Sequence, residues 1–354
     1  MRNEENSTQV FSSEQLKTVQ DMIGENEPSL FSVLQELSKK YDEKTTIYLT
    51  KEFCVNCQTH ENQLVGMEFL YQNSFFDDLE KMIKFHKESS NSLNNEWSLL
   101  YELQIKRKVH NIIGQDFLKL LEDVEVREDA TLLSLLTFLK IYGYYEMYEY
   151  EKLEIYQDVL TKYLLDIDNT IIRVYFQLRE NELYLHYHWK RNEVQIARNY
   201  GHNMLENVFN PRKKCYTHLI LAETYVLEDY NKAMEHANKA LEIAEYYNLV
   251  QFIKDANNKV IPFIAAINGI YEGVETTDEV ERAHLYLAAK RWEDALQILN
   301  KIQNPTPFQE YYLGLAKKDK DLLQKSYYRF LTERKDQFFA LLPYQELNNL
   351  AKEG

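Results

Sequence analysis

Three stretches in the second half of the chain place small residues at matching helical offsets, and they do so in phase. Tyr230-x-x-Ala233-x-x-x-Ala237-x-x-Ala240-Leu241 is followed by Ala283-x-x-Tyr286 with Trp292-x-x-Ala295-x-x-x-Leu299-x-x-Ile302, and then by Leu313-Gly314 with Ser326 and Phe330. Ala233 and Ala295 lie 62 residues apart, and Ala295 and Ser326 lie 31 apart. Two antiparallel helices in about 34 residues, with small residues where they cross and aromatics filling the gaps, make up a TPR-type unit. The longer interval leaves room for one further, degenerate unit around Phe252 to Ile270, and Pro307 falls where one unit gives way to the next. A single unit cannot bury its apolar face alone, so units stack. The phase therefore predicts an all-α fold, a right-handed superhelix of TPR-like helix-turn-helix repeats, or α-solenoid.

The rest of the chain agrees with that class. Nine glycines and six prolines in 354 residues leave few breakers, and the apolar residues between them recur at a helical period. In the first half such periods run over Phe31 to Tyr41, Thr45 to Thr59, Asn62 to Gln72 and Phe75 to Glu88. Ser12 and Gln15 have the spacing of a capping box at the start of one short helix, with Phe11 and Leu16 placed as a staple. Asn26-Glu27-Pro28-Ser29 then interrupts the pattern. Residues 1–28 are thus expected to form a short arm with one helix, and 29–354 a continuous repeat domain, clearest over 216–340. The polar breaks at Ser89 to Asn95 and Arg127 to Asp129 read as loops between helices.

Charge and motif content exclude several function classes. The formal net charge of −15 opposes a phosphate backbone, and the short basic clusters Lys106-Arg107-Lys108 and Arg212-Lys213-Lys214 read as solvated helix ends. The stretch Tyr142-Gly143-Tyr144-Tyr145 to Tyr156 carries one lysine, Lys152, among glutamates, which suits packing between helices and not a platform for nucleic-acid bases. No apolar leader and no run of 18 apolar residues is present, so a cytoplasmic protein without a membrane span is expected. Cys54-x-x-Cys57 lacks the second ligand pair of a zinc site and the preceding strand of a redox motif, and reads as reduced, helix-packing cysteine. His186 and His188 diverge on a helix, where metal ligands share a face at three- or four-residue spacing. Neither a phosphate cradle nor a hydrolase or metalloprotease signature occurs. The expectation is a protein that is not an enzyme, with no catalytic residue, no metal and no cofactor.

A repeat array presents side chains of successive first helices along one surface, which suits an extended peptide or a partner helix. Tyr311-Tyr312-Leu313 through Asp336-Gln337-Phe338 to Leu342-Pro343 and Glu346-Leu347, with Arg282-Ala283-His284, resemble the C-terminal part of the AimR-like arbitrium receptors of temperate Bacillus phages. Leu49-x-x-Glu52-Phe53-Cys54 and Phe69-Leu70-Tyr71-x-Asn73-x-Phe75-Phe76 extend the resemblance toward the N-terminus, so it covers most of the chain from about Ser29. The resemblance implies a member of the wider RRNPP class of peptide-pheromone receptors, binding a short linear peptide and governing lysis and lysogeny.

The resemblance also implies site residues. Arg212 and Asp336 match charged peptide-contacting positions: the guanidinium can hold a peptide carboxylate through two hydrogen bonds, and Asp336, with Glu281 as a second carboxylate, can receive a basic side chain. Amide residues that clamp the peptide backbone in the family are His186, Lys190 and Glu223 here. Family members carry an N-terminal DNA-binding helix-turn-helix of roughly 50 residues. Ahead of Pro28 there is room for one helix with Lys17 as its base, so DNA binding is not expected, and action through a short peptide, a regulatory protein partner, or both is. The polar ending Asn348 to Gly354 differs from the leucine-rich dimerising end of the family, which implies a monomer or weak homodimer. Two other readings stay open: a DNA-binding transcriptional regulator with an unrecognised head, and a TPR scaffold without a peptide ligand.

Overall fold

The computed structural model describes residues 11–24, 26–208 and 210–352; among them the regular structure is helical, with no strand. They divide into two compact units, one ending at Glu180 and the other beginning at Asn181.

In the first unit several helices start where a short polar side chain satisfies an open N–H group of the first turn. Ser12 and Gln15 form the expected capping box ahead of Ser13–Gln20. Ser29, Asp42, Asn91 and Asp129 cap Leu30–Lys40, Glu43–Asn56, Ser92–Lys108 and Ala130–Glu146. Between them lie His60–Gln72 and Phe76–Lys87, so the four helical periods of the first half appear within a few residues of where they are expected. Consecutive helices pack on one another from Leu30 through Lys108. Cys54 and Cys57 are buried free thiols, and burial pushes Cys54 well above the ordinary thiol range and Cys57 up to about 12. The tyrosine-dense stretch packs as rings: Tyr144 stacks on Tyr156, and Tyr150 meets both Tyr145 and Tyr148.

One expectation of this unit fails. Arg107 is not a solvated helix end; its guanidinium lies over the Tyr142 ring, 4.2 Å from the centroid, and pairs with Glu146 at 2.9 Å. Deeper in, Glu68 and Arg179 form a buried bidentate pair, with Nε to Oε1 at 2.9 Å and a terminal nitrogen to Oε2 at 2.7 Å. Tyr101 and Gln72 each donate a further bond of 2.6 Å to the Glu68 carboxylate. The guanidinium also lies over the Tyr71 ring, 4.5 Å from its centroid.

The second unit shows the repeat most plainly. Pro211–Tyr225 packs on Tyr230–Tyr246, Glu279–Ala288 on Trp292–Leu299, and Pro307–Lys317 on Lys320–Thr332. The in-phase residues Ala233, Ala295 and Ser326 have no accessible surface, and Ser326 Oγ donates to the Pro307 carbonyl at 2.8 Å. Small side chains at a crossing let two helix backbones approach, which is why their spacing carries the fold. Pro307 opens its helix, after a capping box formed by Thr306 and Gln309.

Gly314 shows how little space the crossing leaves. A β-carbon there would meet Leu323 Cγ at 2.7 Å and its backbone nitrogen at 3.2 Å. Gly314→Ala is therefore expected to lower stability by about 1–3 kcal/mol, the usual cost of overpacking, despite alanine's better helix propensity. Urea denaturation at constant m-value checks this, and an unchanged or raised midpoint would contradict it.

The degenerate unit expected around Phe252 to Ile270 is not a helix pair. The chain runs as Val250–Asp255, a π turn over Ala256–Val260, and Ile261–Ile267, with no reversal between them. Pro262 has no N–H to give to the Asn258 carbonyl, and Thr276 Oγ1 donates to that carbonyl instead, at 2.7 Å. Asn258 Oδ1 accepts from Thr277 N and Oγ1, which ties the following loop to the π turn. The helix thus absorbs its proline by widening one turn.

Candidate ligand-binding site

Two helical segments of the second unit, Asn181 to Lys190 and Pro211–Tyr225, carry matching stripes. Glu182, His186 and Lys190 stand at four-residue steps at the end of Thr170–Lys190, which keeps them on one face. Arg212, Tyr216 and Glu223 recur at spacings of four and seven on Pro211–Tyr225, again one face. The stripes meet in order. Lys213 forms an ion pair with Glu182, Tyr216 Oη lies 2.6 Å from His186 Nε2, and Lys190 and Glu223 interact electrostatically. Partners advance in the same direction along both helices, as on successive first helices of a repeat array.

The charged centre gathers at the Lys190 end. Lys190 Nζ donates to Asp336 Oδ2 at 2.6 Å and lies over the Trp189 ring, 3.7 Å from its centroid, and 5.1 Å from that of Phe339. Asp336 is 4% exposed, and its other oxygen accepts the Phe339 N–H at 3.0 Å, the bond of an N-cap for Gln337–Lys352. Both of its oxygens are therefore engaged. Glu281, in the first turn of Glu279–Ala288, lies 3.4 Å from His284 Nδ1.

Glu223 is half-buried. That burial pushes its pKa up to about 7, against the pull of Lys190 and with further push from Asp336 and Glu281. Its carboxyl group has no hydrogen-bond partner among the described residues. Burial pushes His186 down to about 4; Glu182 opposes the shift, and Lys190 and Lys213 add to it, so the imidazole is neutral at neutral pH.

The structure thus brings Lys190, Asp336, Glu223 and Glu281 into one cluster, with His186 one turn before Lys190. Arg212 is elsewhere: it lies in the first turn of the Glu223 helix, where Asn210 caps its N–H, and its charge acts on Cys215. Eleven residues at 1.5 Å each put it about 16 Å from Glu223 along the helix, on the same face. His188 turns away to Glu193, at 2.6 Å. Among the described residues no group of His, Cys, Asp and Glu is arranged to hold a metal, and no helix is long and apolar enough to cross a membrane.

Sequence reasoning missed the aromatic wall behind these charges. Trp189 meets Phe339, Phe339 meets Phe263, Phe263 meets His284, and His284 stacks on Tyr312 at 4.2 Å. The adjacent pair Phe338-Phe339, just past Asp336-Gln337, was the available signal. Trp189 is 3% exposed, and its indole N–H has no acceptor among the described residues.

Stacked helix pairs whose first helices carry such a stripe define an all-α helical-repeat protein of the kind that regulatory families use. The chain belongs to the AimR transcriptional regulator-like family, whose model matches residues 46–349. It is 27% identical over 255 residues to an uncharacterized protein of Bacillus anthracis, covering 66% of this chain and 93% of that one. To the AimR transcriptional regulator of Bacillus phage SPbeta it is 22% identical over 337 residues, covering 91% and 85%. The AimR regulator of Bacillus phage phi3T is 22% identical over 280 residues, covering 74% and 70%. Two solved structures share the fold. One, described as phAimR with ligand, has a TM-score of 0.74 at 21% identity and covers 91% of this chain and 96% of its own. The other, selenomethionyl phAimR, has a TM-score of 0.75 at 19% identity and covers 96% and 90%.

Proposed function

We propose that this chain is an intracellular receptor for a short linear peptide, an arbitrium-like phage or prophage regulator of lysis and lysogeny whose conformation the peptide biases. The observation that carries this reading is the pair of opposed charges on one helix face, Arg212 at one end and Glu223, with Asp336 and Glu281, at the other. An extended segment rises about 3.3 Å per residue, so roughly five residues bridge the interval of about 16 Å. The peptide's carboxylate lies on Arg212 and a basic group lies toward the acidic end, with the His186 and Lys190 stripe alongside. A related structure described as holding a ligand supports a ligand-reading role. In this reading the protein is cytoplasmic, and the peptide-loaded form acts by docking to a regulatory protein.

Thermal-shift measurement with synthetic peptides encoded beside the gene tests the proposal. A peptide at 100 times its dissociation constant is expected to stabilise the protein by about 2.7 kcal/mol, and Arg212→Ala to remove most of that gain. No shift with any such peptide would leave a repeat scaffold. The name carried by the phage relatives, transcriptional regulator, favours a second reading in which the protein itself binds DNA. A specific, salt-sensitive gel shift with DNA flanking the gene would establish that reading.

A further inference from the structure

Three histidines from three successive helices converge within the second unit. His202 on Val194–Asn207, His218 on Pro211–Tyr225 and His236 on Tyr230–Tyr246 meet as rings, with centroids 5.8 Å apart for His202 and His236 and 5.2 Å for His218 and His236. The last two face each other through Nδ1, 2.9 Å apart. A contact of that length needs one N–H and one lone pair, so the two rings hold a single proton between their facing nitrogens. Positive charge already surrounds them. The buried Arg198 guanidinium lies over the Tyr225 ring on which His236 stacks, 3.7 Å from its centroid, Lys232 lies 5.4 Å from the same centroid, and Lys239 follows His236 by one turn. Against these stand Glu235, exposed and paired with Lys239, and Glu228, paired with Arg198 at 2.8 Å. Leu249, Phe252 and Ile253, which pack on the same two helices around Cys215 and Ala244, are apolar.

We propose that this cluster is an acid-sensitive latch: while His218 and His236 share one proton it holds Pro211–Tyr225 against Tyr230–Tyr246, and when each ring carries its own charge the two helices part. With both imidazoles charged, two N–H groups point at each other where an N–H and a lone pair stood, and the hydrogen bond becomes a repulsion between like charges. His202, which is exposed, adds a third charge beside His236. Burial pushes both His218 and His236 down to about 4; the charges of His202 and Lys239 push both the same way, as His236 does to His218 and Arg198 to His236, and Glu235 opposes. Once the helices part, each imidazole returns toward about 6.5. The open form then binds more protons than the closed one. The latch is therefore at full strength above about pH 6.5 and weakens as pH falls from there toward about 4. At pH 5 each of the two rings favours the open form by about 30-fold relative to pH 8. The latch answers to protons and stands apart from the peptide reading; because Pro211–Tyr225 also bears Arg212 and Glu223, its release reaches a helix of the candidate site.

Amide hydrogen exchange of the full chain, resolved by peptide and corrected for the pH dependence of the intrinsic rate, tests the latch between pH 8 and pH 5. Pro307–Lys317 and Lys320–Thr332 pair without a histidine and serve as the internal reference. Relative to them, the protection of Pro211–Tyr225 and Tyr230–Tyr246 is expected to fall by about tenfold or more as pH drops to 5, and to return when pH is restored. His218→Asn keeps a neutral hydrogen-bonding atom near the place of Nδ1 and is expected to remove most of that fall while leaving protection at pH 8 close to that of the wild type. Equal protection at pH 8 and pH 5, or a fall that His218→Asn leaves intact, would overturn the proposal. Should the variant fail to fold, the histidine Hε1 resonances of the wild type decide. His218 and His236 are expected to titrate well below the ordinary histidine range, and ordinary titration of both with the helices still protected would overturn the latch.

Discussion

Glu68→Gln is expected to lower the stability of the protein by about 3–5 kcal/mol, the cost of leaving one member of a buried ion pair without its partner. Glu68 has no accessible side-chain surface and Arg179 has 2%, so water cannot replace the lost charge. The guanidinium has nowhere to retreat, since the Tyr71, Phe138 and Phe176 rings surround it with centroids 4.5, 6.0 and 5.7 Å away. Glutamine keeps the volume and can still accept from Tyr101, so the loss reports charge and not packing. Replacing both partners by methionine removes the buried charge altogether and is expected to recover part of the loss. The recovery is incomplete because Tyr101 and Gln72 then lose their acceptor, at about 1–3 kcal/mol for each buried group left unpaired. Urea denaturation of the single and double variants measures these values. A single variant within about 1 kcal/mol of wild type would show that the pair is not the electrostatic centre of its unit.

Asp336→Ala is expected to cost about 2–5 kcal/mol, because it removes two functions at once. The N-cap bond to Phe339 contributes about 0.5–2 kcal/mol, and the bond to the Lys190 ammonium, a charged partner in a half-buried site, about 1.5–3 kcal/mol. Asn caps a helix as well as Asp does, so Asp336→Asn keeps the first function and loses the charge of the second. The expected order of stability is wild type, then Asn, then Ala. Equal midpoints for the two variants would mean that the cap contributes nothing.

The fold class was legible because its determinants are local. Ala233, Ala295 and Ser326 are small for the sake of a neighbouring helix only a few residues away in sequence, and spacing alone exposes them. The same holds for the capping box of Ser12 and Gln15, read from its spacing alone. The π turn was hidden because its cause is a pairing between Asn258 and Thr276 across a loop, and Pro262 read alone suggests a break between two helices. Charges were hardest to place. Lys190 and Asp336 lie 146 positions apart, and Glu68 and Arg179 lie 111 apart, so no periodicity links them. Arg107 read as a surface lysine-like end because its partner Glu146 belongs to another helix. Of the candidate site, the resemblance named positions, and the structure added a pairing that the sequence could not show: Asp336 gives one oxygen to Lys190 and the other to the Phe339 N–H.

The three cysteines divide between the units, Cys54 and Cys57 in the first and Cys215 in the second, all buried. Burial holds Cys57 and Cys215 up at about 12 and Cys54 well above its ordinary range, so the thiolates that alkylating reagents attack are scarce while either unit stays closed. Each half of the molecule therefore carries its own timer of opening. Mass-resolved labelling at Cys215 against the Cys54–Cys57 pair reports whether the halves come apart together or in turn, with no probe added to the protein.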